Sequence, residues 1–278
     1  MNTPPFDPDA LRSASVSRVP SPLAGAAFPA DAAYRSRAWD GALLDFLLNL
    51  EYLEAEYFLR ATTGAGLPEV DASGGGHPGE VHVKARPRVT FATPLIEDHA
   101  HAFAADELEH VRLLRAALRD HHLPVSARPP LDLRNSFLEL GCLAGIDNFD
   151  PFAHEGNFLV GAFLLHGICL AACEEVRPMI FDRGYLEVAS AGLAVEAYHV
   201  GMVSSLLSQK GSEATRLALR ISAACGLSNP AVETAKDADS DALVPTSRTP
   251  RQLLDLVYGA ANGSGGLFFP KGLNGVIR

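Results

Sequence analysis

The hydrophobic residues of this 278-residue chain recur at intervals of three and four over long stretches, which is the period of an α-helix with one buried face. The pattern predicts four long helices, over about 34–63, 93–121, 157–176 and 185–209. It predicts shorter helices over 135–146, 212–224 and 249–259. No repeat of 20–50 residues is present, so a solenoid is excluded. Four long helices predict an all-α fold built as a four-helix bundle.

Breaks in this pattern divide the chain into three predicted parts. Residues 1–35 are rich in Pro, Ala and Ser and lack a clear period, so we expect an N-terminal arm or leader. Residues 36–210 form the predicted bundle, with a long loop at 64–93 between its first two helices. A connection of this length is expected to carry some structure of its own. Residues 211–278 form a predicted C-terminal extension of short helices, a polar loop at 226–248 and a glycine-rich tail.

Composition narrows the class of protein. With 47% hydrophobic and 20% charged residues, the chain is typical of a globular domain. Its net charge of −10 argues against a nucleic-acid partner, whose phosphates would be repelled. Four cysteines without a Cys-x-x-Cys pair indicate neither a disulfide scaffold nor a zinc knuckle. No export signal and no run of 18 apolar residues is visible, so we expect no transmembrane segment and a cytoplasmic or cell-envelope location.

Three of the four long helices carry acidic residues on the stripe where leucine is expected. A carboxylate buried in an apolar interior loses its hydration and needs a compensating partner, which a divalent cation can supply. Two motifs, Glu107–His110 and Glu196–His199, have the form Glu-x-x-His. This spacing places a carboxylate and an imidazole one turn apart on the same helical face. Both motifs lie in mid-helix on the apolar stripe, so they predict a metal site inside the bundle.

The first helix adds two further acids to this pattern. Glu51 and Glu54 lie on the same predicted stripe as Leu47. Bundles with a dinuclear iron or manganese centre take one Glu from each of two helices and one Glu-x-x-His from each of the other two. The first-helix ligand is therefore Glu51 or Glu54, and Glu54 is the second choice, as a ligand or as a hydrogen-bonding partner of one.

The third helix departs from that pattern. If it is the antiparallel neighbour of the fourth helix, the partner of Glu196 must lie at equal depth, near residue 170. Glu174 and Glu175 are too close to the connecting turn, so His166 is the predicted third-helix ligand; the alternative is a histidine that only packs in the core. Replacing a glutamate by His166 would lower the number of carboxylates from four to three and make the centre harder to oxidise. The neighbouring Cys169 is expected to pack as a small apolar group, with a ligand role as the alternative.

Several blocks of the sequence resemble the ferritin-like family of desiccation-related proteins: LLNLEYLEAEYFL, DELEHVRLLR, YLEVASAGLAVEAYHVGMV and GGLFFPKGLNG. Together they cover about residues 36–275. The resemblance implies a ferritin-like four-helix bundle around a dinuclear iron or manganese centre. It also implies that Glu107 and Glu196 bridge the two metals, and it implies these ligands in all: Glu51, Glu107, His110, Glu196 and His199.

Two positions depart from what is common in such families. Phe58 stands seven residues after the first-helix Glu, where a tyrosine is common, and His166 stands in place of the third-helix Glu. Both departures weaken the case for redox chemistry but not for metal binding. The mixed nitrogen and oxygen ligands suit iron, manganese or zinc, and spacing does not choose between them.

Two functional hypotheses follow from these features. In the first, the chain is a ferritin-like protein with two divalent transition metal ions that acts in oxidative or desiccation stress, with ferroxidase-like or catalase-like chemistry as its expected enzymatic activity. In the second, it is a non-enzymatic structural or interaction protein with a structural metal or a vestigial site. The long loop and the C-terminal extension would cover the surfaces that a storage cage needs, so we expect a monomer or a homodimer. No pattern specifies a protein partner.

Overall fold

The computed structural model describes residues 32–227 and 250–278 of the chain. Ser36–Arg278 form one compact unit, distinct from Met1–Arg35. The expected N-terminal arm lies almost entirely outside the described residues, as does nearly all of the expected polar loop at 226–248. The description below therefore concerns the helical unit and its tail.

The described residues contain eight α-helices and a very short two-stranded sheet. The helices are α1 Ala32–Thr63, α2 Glu69–Ala72, α3 Pro94–Asp120, α4 Asn135–Leu143, α5 Glu155–Val176, α6 Arg183–Lys210, α7 Ser212–Ala224 and α8 Pro250–Tyr258. A 3-10 turn at Arg177–Met179 connects α5 to α6. The long helices α1, α3, α5 and α6 form the bundle, so the predicted all-α four-helix architecture is confirmed.

Local sequence signals fix where the bundle helices begin and end. The Asp182 side chain accepts hydrogen bonds from the backbone N–H groups of Gly184 and Tyr185 and so caps the start of α6. Gly64 ends α1 in a left-handed conformation with φ of 83°, where a residue with a Cβ atom would be strained. These signals are local, so the sequence places the helices to within a few residues.

Helix α5 lies at the centre of the bundle, and almost all its residues from Phe158 to Cys173 are buried. Together with the turn behind it, Glu155–Met179, it is long and apolar enough to cross a membrane, but 89% of this stretch is buried inside the protein. Helices α6 and α7 cover α5 on two sides. Burial of this kind is typical of the core helix of a folded domain, and it agrees with the expected absence of a transmembrane segment among the described residues.

The long loop between α1 and α3 carries α2 and strand β1 (Val81–His82), as its length predicts. Strand β1 pairs in parallel with β2 (Leu131–Asp132), which follows α3. The glycine-rich tail closes over the same side, where Phe268 and Phe269 are fully buried in the core. The loop and the tail therefore form a layer over one face of the bundle.

Candidate metal centre

All seven residues predicted as metal ligands meet in the interior of the bundle. Helix α1 provides Glu51 and Glu54, α3 provides Glu107 and His110, α5 provides His166, and α6 provides Glu196 and His199. Six of these residues are at most 3% exposed. The side chain of His110 is 12% exposed and is the one that lies nearest to solvent. Four carboxylates and three imidazoles thus share one buried volume.

The cluster consists of two overlapping groups of four residues. One group contains Glu51, Glu107, His110 and Glu196, and the other contains Glu107, His166, Glu196 and His199. Within each group the candidate ligand atoms all lie within 4.8 Å of one another. Glu107 and Glu196 belong to both groups. The resemblance implies these same two residues as the bridging carboxylates, and that role stays a prediction.

In the first group, three carboxylates from three helices surround one imidazole nitrogen. The Nδ1 atom of His110 lies 3.1 Å from Glu107 Oε2, 3.3 Å from Glu51 Oε2 and 3.5 Å from Glu196 Oε1. One N–H group can donate a good hydrogen bond to only one of these oxygens. The four candidate ligand atoms of this group lie close enough together to bind one cation.

The second group is built in the same way around His166. Its Nδ1 atom lies 2.9 Å from Glu54 Oε1 and 3.1 Å from Glu196 Oε2. The Nδ1 atom of His199 lies 3.1 Å from Glu107 Oε1. Because Glu54 adjoins His166, four carboxylates lie in the cluster, and the expected number of three carboxylate ligands stays a prediction. The first helix supplies one acid to each half of the cluster.

Many polar atoms of this cluster have no hydrogen-bond partner although they are buried. Buried polar atoms without partners are rare in folded proteins. Glu54 Oε2 and His166 Nε2 have neither a hydrogen bond nor an ion-pair contact. Five further atoms lie 2.9–3.5 Å from a histidine or glutamate atom of the cluster without forming a hydrogen bond to it: Glu51 Oε2, Glu54 Oε1, Glu107 Oε1, Glu196 Oε1 and His199 Nδ1. All of them are atom types that bind iron, manganese or zinc. The residues present therefore fit a dinuclear metal centre.

Burial and mutual repulsion shift the protonation of the cluster. Burial raises the pKa of Glu51 to about 8 and that of Glu54 to about 7. Burial would also raise the pKa of Glu196, but the adjacent imidazoles of His110 and His166 outweigh it and lower this pKa to about 2. Burial would lower the pKa of both histidines, but the surrounding carboxylates outweigh it and raise them. Without a cation, protons balance the buried charge, so a metal ion must displace them to bind.

Neighbouring side chains hold the histidines in place. The Nε2 atom of His199 lies 3.1 Å from Asp106 Oδ2, a contact that leaves Nδ1 facing the cluster. Phe58 stacks on His166 with ring centroids 4.6 Å apart, and Phe103 packs against both His166 and His199. The sequence analysis missed Asp106, although its position directly before Glu107 was a usable signal. It noted Phe58 but did not predict its contact with His166.

A four-helix bundle with two Glu-x-x-His motifs around a shared carboxylate cluster defines the class of ferritin-like proteins. The sequence model of the ferritin-like domain matches residues 39–209, and the chain belongs to this family. It is also 31% identical over 182 residues to the desiccation-related protein PCC13-62 of Craterostigma plantagineum. Both findings confirm the resemblance seen in the sequence blocks.

The match to the Craterostigma protein covers only part of each of the two chains. It covers 63% of this chain and 55% of that protein, so the chain spans about half the length of this curated relative. No solved structure matches the chain. The matches show the family and the fold of the chain.

Proposed function

We propose that the bundle binds two divalent transition metal ions, iron or manganese, and that the protein acts in protection against oxidative or desiccation stress. One observation carries this proposal: two groups of buried ligand atoms overlap in Glu107 and Glu196, and many of these atoms have no hydrogen-bond partner. The ferritin-like family and the name of the Craterostigma relative support the stress-related role.

Each side chain has a distinct task in this proposal. Glu107 and Glu196 would be shared by both ions, Glu51 and His110 would hold one of them, and these three would hold the other: Glu54, His166 and His199. When bound, such ions supply electrons to dioxygen or to hydrogen peroxide. The aromatic rings of Phe58 and Phe103 exclude water from the histidine side of the site.

The enclosure of the site supports a second candidate function. Six of the seven residues are at most 3% exposed, and His110 alone has a partly exposed side chain. Such a site suits a structural metal, for example zinc, which needs no open position for a substrate. In this version the metal stabilises the bundle, and the protein is a non-enzymatic structural or interaction module.

Metal analysis of three single variants tests the proposal. We would purify the wild-type protein with Glu107→Gln, Glu196→Gln and the control Glu109→Gln, whose side chain is 68% exposed on the same helix as Glu107. Elemental analysis should give at least two metal ions per chain for the wild type and the control, and fewer for the other two variants. Circular dichroism would show that each variant is folded.

The same proteins distinguish the two candidate functions. Metal-dependent decay of hydrogen peroxide, lost in Glu107→Gln and Glu196→Gln, supports the stress-protective metal centre. Stoichiometric metal without peroxide turnover, together with a chelator-sensitive melting temperature, supports the structural metal. A folded wild-type protein that takes up no metal when supplied with iron, manganese or zinc contradicts both.

A further inference from the structure

A third group of possible ligand atoms lies beside the proposed dinuclear centre. It contains carboxylate oxygens of Glu51 and Glu54 and the Sγ atom of Cys169, all within 4.8 Å of one another. The three residues are at most 3% exposed. Oε2 of Glu54 is buried and has neither a hydrogen bond nor an ion-pair contact, whereas Oε1 of the same residue lies 2.9 Å from His166 Nδ1. Glu54, with this unpartnered oxygen, thus lies beside a buried thiol at the interface between α1 and α5.

We propose that Glu51, Glu54 and Cys169 form a third cation position, at which Cys169 binds as a thiolate. This inference rests on the proposed dinuclear centre, because Glu51 also belongs to one of its two groups and Glu54 contacts His166. Two carboxylates with one thiolate favour a divalent ion with affinity for sulfur, such as zinc, cobalt(II) or iron(II).

The position of Cys169 on its helix supports a role in binding. His166 and Cys169 are three residues apart, so they lie one turn apart on the same face of α5, as Glu and His do in the two Glu-x-x-His motifs. Helix α5 thereby presents a nitrogen and a sulfur donor to the cluster. Cys173, one turn further along, is equally buried but does not belong to the group. The chain thus contains its own control for a thiol that only packs.

Metal binding at this position must release the thiol proton. Burial raises the pKa of Cys169 well above its usual range, and the nearby carboxylates of Glu54 and Glu51 raise it further. Each ion bound at this position forms a metal–sulfur bond and releases one proton from Cys169 to the solvent.

Titration of the metal-free protein with cobalt(II) tests this inference. The wild-type protein should bind three equivalents and show a thiolate-to-cobalt charge-transfer band in the near ultraviolet. Cys169→Ser should lose the band and the third equivalent and keep two equivalents, whereas Cys173→Ser should keep the band and all three. Circular dichroism would confirm that both variants are folded. The charge-transfer band of the wild-type protein tests the cobalt–sulfur bond without any substitution.

The alternative outcomes separate this inference from the dinuclear proposal. Binding of two equivalents without the charge-transfer band overturns the third position and leaves the dinuclear centre standing. A wild-type protein that binds two equivalents of cobalt(II) and shows the band also overturns the third position. A band that persists in Cys169→Ser overturns it as well. A wild-type protein that binds no cobalt(II) contradicts the dinuclear centre and the third position together.

Discussion

Helix α1 carries two sets of buried polar side chains, and they lie on opposite faces. Glu51 and Glu54 face the interior of the bundle and belong to the candidate metal centre. The other set faces the tail and the segment between α3 and α4, and it contains Asp45, Asn49, Tyr52 and Glu56. All six residues are at most 8% exposed. The two sets are alike in burial and differ in what surrounds them.

The residues of the second set all have hydrogen-bond or ion-pair partners. Asp45 accepts hydrogen bonds from the backbone N–H and the hydroxyl of Ser126 at 3.0 and 2.7 Å. Tyr52 donates its hydroxyl proton to the Ser126 carbonyl at 2.8 Å. The Asn49 side chain both donates to and accepts from the backbone of Asn274. Glu56 forms an ion pair with Arg128 at 3.0 Å. We call these four α1 residues with Ser126, Arg128 and Asn274 the tail network.

The comparison shows that burial of a polar residue does not by itself mark a functional site. The buried polar atoms of the four α1 residues in the tail network all have partners, whereas Glu51 and Glu54 retain oxygen atoms without a hydrogen bond. Satisfied polar groups hold two parts of a chain together, and unsatisfied groups that face one point are arranged for a ligand. The predictions below separate these two roles.

Removing a carboxylate from the tail network should have the largest effect on folding. Asp45→Ala removes two hydrogen bonds to a charged group and leaves the donors of Ser126 buried, so we expect the free energy of unfolding to fall by about 3 kcal/mol. Urea unfolding measures this change. The metal content should stay at the wild-type value, and a loss of metal would show that the two faces of α1 are not independent.

Asp106 should affect metal affinity more than stability. Its contact with His199 Nε2 orients the ring, so Asp106→Asn should weaken metal binding about 10- to 100-fold. Competition with a coloured chelator measures the affinity, and Asp98→Asn, an exposed position on the same helix, serves as the control. Equal affinities in the two variants would show that Asp106 does not position His199 for a metal.

Substitutions of neighbouring residues on the two faces of α1 should change the free energy of unfolding of the metal-free protein in opposite directions. Glu51→Leu removes a buried carboxylate that lacks its cation and should raise the free energy of unfolding by about 1 kcal/mol. Tyr52→Phe removes a hydrogen-bonded hydroxyl and should lower it by about 1 kcal/mol. Urea unfolding in the presence of a chelator measures both. Destabilisation by Glu51→Leu would mean that the contact of this carboxylate with His110 outweighs the cost of its burial.

The smallest effect is a change in the pH dependence of stability. In the metal-free protein, the pKa values of Glu51 and Glu54, about 8 and about 7, lie above the ordinary value of 4.5. Between pH 4.5 and about 8 the folded state therefore binds more protons than the unfolded chain. Its stability should fall as the pH rises from about 5 to about 8. The raised pKa values of His110 and His166 act in the same direction.

Metal should reverse this trend, because cations displace the extra protons. We expect the melting temperature of chelated protein to fall by several degrees over this pH range, and that of metal-loaded protein to hold or rise. Thermal denaturation at each pH measures both curves. Parallel curves with and without metal would indicate that the titrating carboxylates do not bind it.

The sequence predicts the helices and the cluster well for one physical reason. Helical period fixes which residues share a face, and a buried acid is costly enough that its presence on an apolar stripe carries information. This reasoning identified all seven residues of the cluster as candidate metal ligands. It did not separate the roles of Glu51 and Glu54, because both lie on one stripe, and only the packing of α1 against α3 and α5 shows that each faces a different half.

The tail network was outside the reach of the same reasoning. Its α1 residues lie on a second stripe, but their partners Ser126 and Asn274 lie in irregular segments that have no period. Strands β1 and β2, of two residues each, and the short α2 are likewise too brief to leave a pattern. The contacts between these segments depend on tertiary packing, and spacing along the chain does not encode them.

The most direct test of the central claim is to locate the metal itself. Anomalous diffraction from crystals of protein purified with its native metal, collected at the iron, manganese and zinc absorption edges, would place each ion. The account predicts at least two strong peaks inside the bundle, and two of them should each lie beside both Glu107 and Glu196. A well-ordered cluster whose carboxylates and imidazoles bond directly to one another, with no anomalous peak among them, would contradict it.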